Sequence, residues 1–70
     1  MYKFHMGHTF KNSNATIFVT QLLNDKGESV AEYDLINDIL RTSPLVDSTA
    51  IFKFMNQTKR AYKQFIKESK

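Results

Sequence analysis

The chain contains no cysteine and no tryptophan, and only one proline and two glycines in 70 residues. Without cysteine there is no disulfide and no thiolate zinc site, so two common staples of small domains are excluded. Two glycines, Gly7 and Gly27, are too few to build a phosphate-cradling loop or a dinucleotide fingerprint. No serine or threonine has glycines two residues away on both sides, the pattern of a nucleophile elbow. Long apolar runs are also missing: nothing approaches the roughly 18 residues of a membrane span, and MYKFHMGHTF lacks the apolar stretch of a signal peptide. The expectation is a cytoplasmic, non-enzymatic protein with no membrane partner, no cofactor and no metal, one that acts by binding.

What is present argues for a folded chain. Hydrophobic residues make up 41%, with three tyrosines and six phenylalanines, a mix too apolar for a disordered tail. The length reads as a single small domain over residues 1–70, at a size where only about 60% of the unfolded surface can be buried. So small a core is marginal, and association with a second copy as a homodimer is one remedy.

Residues 1–10 alternate, placing Tyr2, Phe4, Met6, His8 and Phe10 on one face of a strand. The polar cluster from Lys11 to Asn14 reads as a turn, and the β-branched and aromatic stretch from Ala15 to Leu23 as a second strand, with a helix capped by Asn14 as its competitor. Asn24-Asp25-Lys26-Gly27 predicts a hairpin: a type I turn followed by a left-handed glycine. The return strand then covers about Glu28 to Tyr33. A helical signal overlaps it, because Ser29 and Glu32 have capping-box spacing and Ala31, Leu35, Ile36, Ile39 and Leu40 form an apolar stripe. A short strand followed by a helix from about Asp34 to Arg41 is favoured. Ser43-Pro44 ends that helix, Leu45 and Val46 plug the core, and Asp47 or Ser48 caps a final helix to about Glu68. Its stripe is Ile51, Phe54, Met55, Thr58, Ala61, Tyr62, Phe65 and Ile66.

The fold class is therefore α+β: a small antiparallel meander of two or three strands packed against a short helix and a long C-terminal amphipathic helix. The alternative is an all-α three-helix domain. The expected core joins Tyr2, Phe4, Met6 and Phe10 to Phe18, Leu22, Ile36, Ile39, Phe54, Tyr62 and Phe65.

Charge is unevenly spread. Residues 1–24 carry +2 from Lys3 and Lys11, and residues 48–70 carry +5. The middle is acidic: Asp25, Glu28, Glu32, Asp34, Asp38 and Asp47 against Lys26 and Arg41 give −4. At roughly 100° per residue, the last helix gathers Phe52, Asn56, Lys59, Arg60, Lys63, Lys67 and Lys70 on one side, with Lys53 at its border. Such a face can neutralise successive phosphates, while Asn56 reaches a base edge and Phe52 stacks. A solvated outer face explains the lysines equally well, whereas an aromatic among them is harder to explain by solvation.

Two other groupings carry less. His5 and His8 on one strand point to opposite faces, which argues against a shared metal ion. Asp34 and Asp38 lie one helical turn apart, where the simplest roles are a cap and a solvated carboxylate. Two functions follow. The first is a nucleic-acid-binding module, DNA or RNA, working through the basic helix. The second is a small regulatory protein, inhibitor or adaptor that meets a protein partner through a sheet edge or the acidic middle segment.

Overall fold

The computed structural model describes residues 1–68. Four strands, β1 (Lys3–Lys11), β2 (Thr16–Leu23), β3 (Ser29–Asp34) and β4 (Ile39–Thr42), precede one helix, α1 (Ser48–Glu68). The strands pair antiparallel in the order β1-β2-β3-β4, and α1 covers one face of the sheet. The class is α+β, as expected. It has four strands rather than two or three, one helix rather than two, and no resemblance to a three-helix arrangement.

Turn chemistry sets the meander. At β1–β2, the Asn12 side-chain oxygen accepts the backbone N–H groups of Asn14 (2.8 Å) and Ala15 (2.7 Å). At β2–β3, Asn24 Oδ1 accepts N–H groups from Lys26 and Glu28, both at 2.9 Å, and Gly27 takes φ 81°. This is the hairpin that Asn24 to Gly27 predicts, with its register shift between Leu22 and Leu23.

The expected helix from Asp34 to Arg41 is instead a tight turn followed by β4. Asp34 pairs with Ile39 and Tyr33 with Leu40, leaving residues 35–38 as the loop. Two local devices defeat the helical stripe. Asp34 accepts hydrogen bonds from the backbone N–H (3.2 Å) and side-chain amide (2.8 Å) of Asn37. Asp38 adopts φ 55°, a left-handed conformation that Asp tolerates better than most residues. Ile36 and Ile39, both assigned to the core, stand on the surface as a result.

A β-bulge reorders β1. Met6 pairs with Thr20 and His8 with Val19, so Gly7 is the additional residue. A Cβ there would lie 3.0 Å from the Val19 carbonyl oxygen. Beyond the bulge the parity reverses: Thr9 sits opposite buried Phe18, and Phe10 opposite Ile17 on the uncovered face. Phe10 is accordingly 45% exposed, and Tyr2 and Met6 are also exposed, so three of the expected core residues lie outside it. His5 and His8, opposite Gln21 and Val19, share the uncovered face instead of facing opposite ways. Among the described residues, no cluster of three or more His, Cys, Asp or Glu could hold a metal ion.

Helix and sheet meet in matched steps. Two residues of strand advance about 6.7 Å and four of helix about 6 Å. Phe54 packs with Leu22 and meets the Phe4 ring at 6.1 Å between centroids. Four residues on, Thr58 meets Thr20, and four further, Tyr62 meets Phe18 at 5.2 Å, joined there by Phe65. The helix therefore runs antiparallel to β2. Phe18, Thr20, Leu22, Ala31, Tyr33, Val46, Phe54 and Thr58 are buried, and nothing polar among them is unpaired. Thr58 Oγ1 donates to the Phe54 carbonyl at 2.9 Å, so the Thr20 hydroxyl must supply the proton for their 2.7 Å contact.

Asp47 caps the helix, its Oδ1 accepting the Ala50 N–H at 2.9 Å. Pro44 lies in the turn just before it, not at the end of a preceding helix, and of the two connector residues Val46 is buried while Leu45 is 89% exposed. Among the described residues, no helix is long and apolar enough to cross a membrane.

Candidate functional site

Turning its apolar stripe inward obliges α1 to present the remaining arc to solvent. Phe52, Lys53, Asn56, Lys59, Arg60, Lys63 and Lys67 are all exposed, Phe52 by 69%. Lys70 lies outside the described residues. The helix is continuous from Ser48 to Glu68, so five cations from Lys53 to Lys67 span 14 residues, about 21 Å at 1.5 Å each. Among the described residues, the one ion pair joins the N-terminal ammonium to Asp25 at 3.0 Å. Among the described side chains, therefore, no carboxylate neutralises this surface.

The acidic residues occupy other ground. Asp25 and Glu28 belong to the β2–β3 turn region, and Glu32 and Asp34 lie opposite Gln21 and Val19 on the uncovered face. Asp34 and Asp38 form no carboxylate pair. Hydrogen bonds from Asn37 hold the Asp34 carboxyl below its usual value, and Asp38 accepts the Tyr33 hydroxyl at 2.7 Å. That bond, with burial and the nearby Asp38 and Asp34 charges, pushes the Tyr33 hydroxyl up to about 12. No family model, curated protein or solved structure matches the chain. The chemistry of the surface has to be read from its own residues.

The cationic arc divides in two. A groove of about 690 Å³ runs between α1 and the chain entering β1, lined by Tyr2, Lys53, Asn56, Gln57 and Arg60 over a floor that includes Leu22. Lys53, Asn56 and Arg60 thus converge on one concave surface. Phe52, Lys59, Lys63 and Lys67 do not line it and stand on the convex side of the helix. Gln57 and Tyr2 were not among the expected site residues. Gln57 has a sequence signal, since it falls four residues after Lys53 and three before Arg60. Tyr2 has none, because only the tertiary arrangement lays the start of β1 beside the helix.

Proposed function

We propose that this protein is a non-enzymatic nucleic-acid-binding module whose contact surface is the exposed arc of α1. The observation that carries the reading is the row Lys53, Lys59, Arg60, Lys63 and Lys67 along one rigid element, with no acidic partner among the described residues. Helical neighbours three and four residues apart advance about 4.5–6 Å, a spacing that lets successive cations reach successive phosphates of a strand. Each phosphate neutralised releases counterions and makes binding fall with salt.

The test is titration of labelled single-stranded and duplex oligonucleotides at several salt concentrations. Five contacts predict a log–log slope of roughly −3.5 on single strands, and changing Lys59, Arg60 and Lys63 together to Ala reduces its magnitude by about 2. A flat salt response, or a triple variant that is folded by circular dichroism and binds like the parent, overturns the proposal.

A second reading, a protein-interaction factor, is favoured by the sheet face that α1 leaves uncovered. Phe10, Ile17, Val19 and Ile39 bring apolar surface there beside Glu32 and Asp34, where an antiparallel sheet facing water ordinarily alternates to polar residues.

A further inference from the structure

We infer that the groove between α1 and the start of β1 takes one unpaired nucleotide, so that the ligand of this protein is single-stranded. The inference rests on the nucleic-acid reading and deepens it. At about 690 Å³ the groove falls within the roughly 300–1,000 Å³ of small-ligand sites. Its lining supplies, in order, what a nucleotide presents. Lys53 and Arg60, seven residues apart on the helix, place two cations about 10 Å from one another along its axis. Between them lie Asn56 and Gln57, whose amides each offer donors and an acceptor, the combination needed for the edge of a base. Opposite, Tyr2 offers an aromatic ring 41% exposed, and Leu22 with Ala50 gives an apolar floor.

Among the described residues the lining holds one carboxylate, Asp47, which stands at the N-terminal end of the helix, thirteen residues before Arg60, and holds the Ala50 N–H through Oδ1. The phosphate therefore lies toward Arg60, the cation farther from Asp47. A duplex keeps its base faces stacked inside and meets only the convex lysines. A strand with an unstacked base gains the groove as well.

The experiment compares a mixed-sequence single strand of about 12 nucleotides, within the range such sites cover, with the same sequence as duplex and with free mononucleotides. Gln57→Ala and Tyr2→Ala change exposed residues, with circular dichroism as the check on folding. The expected result is single-strand binding at least about tenfold tighter than duplex. Each variant weakens the single strand by about five- to tenfold and leaves duplex affinity and the salt slope unchanged. If both variants bind single strands like the parent while the Lys59, Arg60 and Lys63 variant does not, the groove inference is overturned and the nucleic-acid reading stands. If no nucleic acid binds in any arm, both are overturned. Mononucleotides that displace the strand at equal concentration reassign the groove to a small ligand and overturn the single-strand inference.

Discussion

At the scale of single residues, the Thr20–Thr58 hydroxyl pair is a buried polar contact between sheet and helix. Thr58→Val leaves the Thr20 hydroxyl without its acceptor in a dry core and is expected to cost about 1–3 kcal/mol. Adding Thr20→Val recovers much of that loss, so urea denaturation of the two single variants and the double should show strong non-additivity. Tyr33 gives a pH signature. Its hydroxyl is raised from 10.0 to about 12 in the folded state, so the phenolate is the disfavoured form. The stability that the protonated Tyr33 hydroxyl contributes is fully present below pH 10 and is lost as pH rises from about 10 toward about 12. Ultraviolet titration should show a tyrosine fraction whose ionisation is delayed toward about 12, and Tyr33→Phe should remove that late fraction.

At the scale of elements, glycine positions separate two kinds of constraint. Gly27 needs its positive φ, so Gly27→Ala is expected to cost about 1–2 kcal/mol by thermal melting, although open space surrounds the site. Gly7 needs room, because a methyl group there presses on the Val19 carbonyl oxygen in the neighbouring strand. Gly7→Ala should shift the β1–β2 register at the bulge, visible as altered amide exchange from Met6 to Thr9. These elements also show how far the sequence could be read. The final helix and the hairpin after Asn24 were legible because each has its own periodicity and turn residues. The β3–β4 hairpin was not: Leu35, Ile36, Ile39 and Leu40 fit a helical stripe as well as a turn and a strand, and the outcome was decided by side-chain bonds of Asp34 and Asp38. The bulge hid the true facing of Phe10 and His8, since alternation counted from Tyr2 fails after one additional residue.

At the scale of the molecule, the cationic arc of α1 was legible from charge spacing alone, whereas the groove was not, because it requires the chain start and the helix to lie side by side. The two surfaces also respond to different changes. Val19→Asp, on the face away from the helix, is expected to leave oligonucleotide affinity within about twofold of the parent, since rim charges at a distance act weakly through salt-screened solvent. In analytical ultracentrifugation, the same variant should dissociate any dimer formed by the parent through that face. A parent that sediments as a monomer argues against self-association there and leaves the helix surface unaffected.

The placement of the helix after the sheet in the chain has a consequence for biosynthesis. All four strands leave the ribosome before the segment that shields Phe18, Leu22 and Tyr33 from water. Phe18 waits longest, since the rings that meet it, Tyr62 and Phe65, belong to the last turns of α1. The nascent sheet is thus exposed and sticky until α1 emerges to cover it, and a chain interrupted after Thr58 should be captured by chaperones or precipitate rather than accumulate as a smaller folded form.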